Sequence, residues 1–90
     1  MKRSVADQPD PAALLAQVAR GERTAMAALY DATAPIVHGV VTAIARDSTV
    51  AAQLTESVYL RVWDRAPRFD AAACEARAWI AAIARTSAIE

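Results

Sequence analysis

The 90-residue chain is poor in the residues on which most catalytic and metal sites depend, with one cysteine, Cys74, and one histidine, His38. A single thiol excludes an internal disulfide framework and a multi-cysteine zinc site, and a single histidine leaves little material for a metal centre. The two glycines form neither a phosphate loop nor a dinucleotide fingerprint. Ser48 and Ser57 lack a nucleophile-elbow context, and no histidine lies near Cys74 in the sequence. We therefore predict a protein that is not an enzyme and has no metal site and no cofactor.

The chain also lacks an excess of charge of either sign, because ten basic residues balance ten acidic ones. Nucleic-acid binding usually appears as a basic excess, so the neutral balance predicts weak unaided binding to phosphates. No apolar run approaches the roughly 18 residues of a membrane span. The start of the chain lacks the apolar core of a signal peptide. These absences predict a cytoplasmic protein without membrane insertion.

Hydrophobic residues make up 56% of the chain, and a few turn-forming residues divide it into helical segments. Residues 1–10 are expected to be a flexible lead-in. Asp10 and Pro11 suit the N-cap and first position of a first helix, which Gly21 would end. A second helix is expected from about residue 22. Pro35 is expected to break or kink it and to begin a third helix that ends near residue 46.

The second half of the chain has the same helical character. Residues 47–49 form a capping cluster that opens a fourth helix, and Pro67 terminates it. After an irregular segment over residues 67–74, a fifth helix begins near Glu75. It reaches Glu90 without a stop signal, which indicates a fragment of a longer protein. The length allows one domain, so we predict an all-α fold over residues 11–90, a single compact bundle of four or five short helices.

The predicted fourth helix has two distinct faces when each residue advances by about 100°. Its core face contains Val50, Ala51, Leu54, Val58 and Val62, with Tyr59 and Trp63 beside it. The opposite face, called the polar stripe below, consists of Gln53, Glu56, Ser57, Leu60 and Asp64. One interpretation is a solvated face with a single stray leucine. The other is a docking surface for a partner helix, with Leu60 as its apolar centre.

An aromatic residue, Phe69, stands among arginines after the fourth helix. Arg68 precedes it, and Arg77 and Arg85 lie near the same side of the fifth helix. Such arginines can hold a nucleic-acid backbone while the ring stacks on an unpaired base. In the alternative, Phe69 caps the core and the arginines pair with nearby acids, namely Asp64, Asp70 and Glu75. Four further side chains are expected to be packed or half-buried in the core: His38, Trp63, Cys74 and Trp79.

Read in order, these landmarks resemble region 2 of the bacterial extracytoplasmic-function (ECF) sigma factors, a branch of the sigma-70 family, over residues 12–90. The opening is similar through Leu14-Leu15, Val18-Ala19-Arg20-Gly21-Glu22 and Leu29-Tyr30-Asp31. The centre is similar through Leu54-Thr55-Glu56-Ser57-Val58-Tyr59-Leu60-Arg61-Val62-Trp63, followed by Ala66-Pro67-Arg68-Phe69-Asp70. The end, Ala76-Arg77-Ala78-Trp79-Ile80 with Ile83-Ala84-Arg85, resembles the helix that reads promoter DNA in that family.

The resemblance implies a role in the initiation of DNA-dependent transcription. Such a domain binds the clamp helices of the RNA polymerase β′ subunit and recognises and melts the promoter −10 element, and an anti-sigma factor is a possible further partner. The resemblance assigns polymerase binding to the polar stripe. It assigns DNA binding to Arg68, Phe69, Asp70, Arg77, Arg85, Thr86 and Ser87. The C-terminal region 4 domain of such factors is expected to be absent.

The polar stripe departs from the family pattern at three positions. The family usually has an acid at the position of Gln53, a glutamine at that of Glu56 and an acid at that of Ser57. After Asp70 it often has a proline, a basic residue and a glycine, where this chain has alanines. These departures leave an alternative open, a degenerate sigma-like module that binds an anti-sigma factor or its own kind without productive DNA binding. A plain helical structural domain is a third interpretation.

Overall fold

The computed structural model describes residues 10–89 and shows a bundle of four α-helices. These are α1 (Pro11–Ala19), α2 (Arg23–Ile44), α3 (Ser48–Arg65) and α4 (Ala76–Ile89), with a 3₁₀ helix, Ala66–Arg68, after α3. No strand occurs between residues 10 and 89, and the predicted all-α fold class is confirmed. The predicted flexible lead-in covers residues 1–10. Residues 1–9 of this segment, and Glu90, lie outside the described residues.

The ends of α1 follow from local side-chain chemistry, as the sequence predicts. The Asp10 carboxylate accepts a hydrogen bond from the backbone N–H of Ala12 at 3.3 Å, and Pro11 occupies the first turn, where its missing N–H costs nothing. Gly21 ends the helix with a φ of 84°. The backbone N–H of Glu22 then bonds the carbonyl of Gln17 at 3.2 Å, which satisfies an otherwise free carbonyl of the last turn.

Helix α2 continues through Pro35, so the predicted break into two helices is wrong. Pro35 has no N–H to bond the carbonyl of Asp31, but both residues are exposed, and water can take that place. The buried face of α2 recurs at every fourth residue across the proline: Ala25, Leu29, Thr33, Val37 and Val41. Burial of this continuous stripe against the other helices outweighs the lost hydrogen bond.

Within residues 10–89, α2 alone has the length and apolarity of a membrane-spanning helix, with 22 residues and a mean hydropathy of 1.3. This observation rests on length and composition only, and the core helix of a bundle meets the same criteria. Helix α2 contacts α1, α3 and α4. Five of its 22 residues are buried, so its central place in the bundle accounts for only part of its apolar composition.

All four helices contribute to one core. The largest fully buried side chains are Leu15, Leu29, Val37, Val41, Val58, Val62, Ile80 and Thr33. His38 is exposed, contrary to the prediction that it packs in the core, because it follows Val37 by about 100° around α2. Cys74 is half-buried, and its thiol donates to the carbonyl of Glu75 at 3.4 Å.

The buried arc of α3 is narrower than the sequence predicts. The Asp47 carboxylate caps the helix by accepting from the N–H groups of Thr49 and Val50 at 2.8 and 3.1 Å. Val50 is nevertheless 43% exposed and Trp63 is 38% exposed. The two residues lie about 100° and 120° around the helix from Ala51, on opposite shoulders of the buried arc. The predicted places of Val50 on the core face and of Trp63 as a core anchor are therefore corrected.

Candidate protein and nucleic-acid interfaces

The polar stripe lies on the outer face of α3, where the sequence places it. All five of its side chains are exposed: Gln53, Glu56, Ser57, Leu60 and Asp64. Leu60 has the highest exposed fraction of the large apolar residues between positions 10 and 89, at 68%. A leucine at the centre of an exposed polar stripe on a capped helix can serve as the apolar anchor of a partner helix.

Tyr59 holds α3 against α2 beside this stripe. The Thr33 hydroxyl donates its one proton to the carbonyl of Leu29 at 2.7 Å. The Tyr59 hydroxyl, 2.8 Å from the Thr33 oxygen, is therefore the donor of the second bond. The ring of Tyr59 also packs on that of Tyr30, with centroids 4.5 Å apart. Burial is the main cause that raises the pKa of the Tyr59 phenol.

Replacing Tyr59 with phenylalanine is expected to lower the free energy of unfolding by about 1 kcal/mol near neutral pH, because one buried hydrogen bond is lost. Above pH 10 the wild type should lose stability faster than the variant. The reason is that the raised pKa makes the folded protein keep a proton that the unfolded chain releases above its ordinary value of 10.0. Urea denaturation at about pH 7 and about pH 10.5 measures both effects. If the free energy of unfolding changed equally with pH in the wild type and the variant, the raised pKa would not belong to Tyr59.

The segment after α3 is more ordered than an open binding loop. Phe69 is half-buried against the core, and its ring centroid lies 5.2 Å from that of Trp79. The Asp70 carboxylate accepts a hydrogen bond from the N–H of Ala72 at 3.0 Å. The backbone carbonyl of Asp70 accepts from the N–H groups of Ala73 and Cys74. Phe69 therefore closes the core at this end, as the structural alternative predicts, and Asp70 caps the turn that leads to α4.

The arginines of this region do not form the ion pairs that the structural alternative predicts. Arg68, Arg77 and Arg85 are exposed. Among residues 10–89, no ion pair joins them to Asp64, Asp70 or Glu75, and the ion pair that is present links Arg20 to Glu22 at 3.4 Å. The three guanidinium groups remain available to an anionic partner.

One residue of the predicted DNA-binding set faces inward. Ser87 is only 5% exposed, and its hydroxyl accepts from Nη1 of Arg61 on α3 at 3.1 Å. Ser87 follows the buried residues Ile80 and Ile83 at helical spacing, so the phase of α4 alone places it on the core face. Thr86, one position earlier, is exposed. The predicted contact of Ser87 with DNA is corrected, and the contact between Arg61 and Ser87 was missed.

The structure shows a small helical domain with two candidate interaction surfaces, the polar stripe and the segment around Phe69 with α4. Residues 29–90 match the family Sigma-70 region 2. The chain is 40% identical over 78 residues to SigK of Mycobacterium ulcerans, an ECF RNA polymerase sigma factor. The aligned region covers 87% of this chain and 42% of that protein. The SigK proteins of Mycolicibacterium vanbaalenii and Mycobacterium tuberculosis H37Ra are each 37% identical over 78 residues, or 87% of this chain, and 40% and 42% of their own lengths. The chain belongs to the sigma-70 region 2 family, in its ECF branch, and spans about 40% of the length of these relatives.

Proposed function

We propose that this domain takes part in transcription initiation by binding core RNA polymerase through the polar stripe and the promoter −10 element through the segment around Phe69 and α4. The observation that carries the proposal is Leu60, 68% exposed at the centre of a stripe of exposed polar side chains. The relatives, which are named as RNA polymerase sigma factors, support it. The action is binding, with no chemical step assigned to the chain.

On the polymerase side, Leu60 would enter an apolar notch of a β′ clamp helix. The polar residues around it would form the rim of the interface. Gln53, Glu56 and Ser57 precede Leu60 on the same face, and Asp64 follows it one turn later. Rim hydrogen bonds set the register of the partner, and the central apolar side chain supplies most of the affinity.

On the DNA side, Arg68, Arg77 and Arg85 would contact phosphates, and the Thr86 hydroxyl would add a hydrogen bond. Phe69, paired with Trp79, would offer the edge of an aromatic pair to an unstacked base, with Asp70 holding the turn beside it. The neutral chain supplies little attraction to DNA over long distances. Most of the affinity for the promoter would therefore come from the polymerase complex.

The proposal has consequences for location and regulation. Polymerase and promoter DNA place the protein in the bacterial cytoplasm, and an anti-sigma factor that covers either surface would keep it inactive. The alternative, a sigma-like module that no longer binds DNA, is less well supported, because the similar proteins are themselves named as sigma factors. The exposed, unpaired arginines described above also favour the promoter-binding function.

Two binding measurements test this function. The wild-type domain is expected to bind a β′ clamp-helix fragment. It should also bind a single-stranded −10 oligonucleotide weakly, with an affinity that falls as salt is raised. Arg85→Ala should reduce oligonucleotide affinity for every sequence by several-fold and leave thermal stability nearly unchanged, because the side chain is exposed.

The two halves of the function can fail separately. Clamp-helix binding with no oligonucleotide signal at low salt would remove the DNA half and favour the alternative module. A large loss of stability in Arg85→Ala would instead make Arg85 a structural residue. Absence of clamp-helix binding would remove the polymerase half.

A further inference from the structure

A hydrogen bond between side chains joins α3 to the last turn of α4. Nη1 of Arg61 donates to the hydroxyl oxygen of Ser87 at 3.1 Å. Ser87 is 5% exposed, and Arg61 is half-buried. A hydrogen bond from a charged guanidinium is stronger than one between neutral groups, and removal from water strengthens it further. The contact can therefore hold the end of α4 at a fixed place relative to α3.

The last turn of α4 has few other contacts with the core. Ile83 is the last large buried side chain of α4, and the buried residue that follows it, Ala84, is small. Of residues 85–89, which the structure describes, Ser87 alone is buried. The carbonyl groups of a final helical turn lack partners within the helix, so helix ends fray unless side chains anchor them. The bond from Arg61 supplies such an anchor.

Two residues that are proposed to contact DNA lie in this same turn. Arg85 and Thr86 immediately precede Ser87, and both are exposed. Successive residues lie about 100° apart around a helix, so the orientation of α4 at Ser87 fixes the directions of both side chains. A frayed turn would spread the Arg85 guanidinium over many positions. Ordering it again when DNA binds would lower the affinity.

The place of Arg61 on α3 suits it to act across the two helices. It lies between Leu60 of the polar stripe and the fully buried Val62, at the edge of the core face. An arginine at such a position lays its aliphatic stem along apolar surface and extends its charged end away from its own helix. Its guanidinium keeps its proton throughout the physiological pH range, so the bond to Ser87 does not depend on pH there.

We propose that Arg61 is a positioning residue for DNA binding, whose bond to Ser87 holds the last turn of α4 so that Arg85 and Thr86 face the promoter phosphates. The inference rests on the proposed promoter binding and adds to it a residue that does not itself touch DNA. Arg61 belongs neither to the polar stripe nor to the residues proposed to contact DNA. Its role follows from the geometry of the contact between α3 and α4.

Arg61→Met and Ser87→Ala test this role, because each removes one partner of the bond. Methionine keeps a long unbranched side chain, and alanine favours the helix. We expect each variant to bind a fluorescent single-stranded −10 oligonucleotide at least about threefold more weakly than the wild type, measured by anisotropy at low salt. Arg65→Met is the matched control for the lost charge. Arg65 is exposed one turn later on α3, and its variant should stay within about twofold of wild type.

Two further measurements distinguish positioning from a general loss of stability. In the Arg61→Met background, Arg85→Ala should weaken oligonucleotide binding by less than about twofold, although it costs several-fold in the wild type. A merely structural role of Arg61 would leave the effect of Arg85→Ala unchanged. Amide hydrogen exchange of residues 85–89 should also be faster in Arg61→Met and in Ser87→Ala, while exchange within α2 stays as in the wild type.

The outcomes separate this role from the function on which it rests. If Arg61→Met and Ser87→Ala bind the oligonucleotide as the wild type does while Arg85→Ala binds it weakly, the positioning role is overturned and promoter binding stands. If Arg61→Met weakens binding and Ser87→Ala does not, Arg61 contacts the DNA itself, and the positioning role is again overturned. If the wild type does not bind the oligonucleotide, both fail.

Discussion

The Leu60→Arg variant is expected to lose about thirtyfold or more of its affinity for a β′ clamp-helix fragment, measured by calorimetric titration. The arginine would place a charge at the dry centre of the interface, where the partner's apolar notch offers it no counter-ion. Leu60 makes little contact with its own domain, since 68% of its surface is exposed. The free energy of unfolding should therefore change by no more than about 0.5 kcal/mol. Loss of binding without loss of stability identifies a docking residue.

Val50→Arg is the matched control for this measurement. Val50 is also an apolar residue of α3 and is 43% exposed, but it lies ten positions earlier, about 15 Å along the helix. The same charge added there should leave clamp-helix binding within about twofold of wild type. Equal losses in the two variants would show that the fragment senses the net charge of α3 rather than Leu60, and the docking assignment would then be wrong.

The helix ends could be predicted from the sequence, because they depend on residues that are close to one another along the chain. Asp10 and Asp47 cap helices because their short carboxylates reach the free N–H groups of the first turn. Gly21 ends α1 because its φ of 84° is unfavourable for a residue with a side chain. Pro35 was wrongly predicted to divide α2. Its effect on the backbone is local, whereas the buried stripe that keeps the helix continuous depends on three other helices.

The exposed surfaces were predictable to different degrees. Helical periodicity alone places the polar stripe on the outer face of α3, and the structure shows its five residues exposed. Ser87 was assigned to DNA through the resemblance, although its helical spacing from Ile80 and Ile83 predicts burial. The structure shows that the Ser87 side chain is buried. The groove between α2 and α3 that Tyr30, Tyr59 and Trp63 line could not be foreseen, because it forms only when Tyr30 of one helix meets Tyr59 of another.

The neutral net charge of the chain can be interpreted from where its charged side chains lie. Residues 47–90 carry five basic and six acidic groups, so the half with the proposed DNA contacts has no general attraction for phosphate. Four of the five basic groups, Arg65, Arg68, Arg77 and Arg85, are exposed and have no ion pair within residues 10–89, and the last three belong to the proposed DNA contacts. Acidic residues of the polar stripe face another direction on α3. Under the proposed function, the domain would position a few phosphates only after polymerase has brought it to the promoter.

Replacing Ile80 with alanine is expected to give the largest loss of stability. Ile80 is fully buried on α4, and truncating such a side chain costs about 2–5 kcal/mol through lost transfer energy and the cavity left behind. A domain of this size has a total stability of only about 5–13 kcal/mol. The midpoint of thermal unfolding should fall by about 10 °C or more. Circular dichroism at 222 nm or calorimetry measures the shift.

Ile89→Ala provides the comparison for Ile80→Ala, because it makes the same truncation on the same helix at a side chain that is 67% exposed. Little apolar surface returns to water there, and alanine is the better helix former, so the free energy of unfolding should change by less than about 0.5 kcal/mol. Similar losses in both variants would mean that burial along α4 does not decide its contribution to the core. In that case the assignment of Ser87 to the inner face and of Arg85 to the outer face, which rests on the same helical phase, would also have to be abandoned.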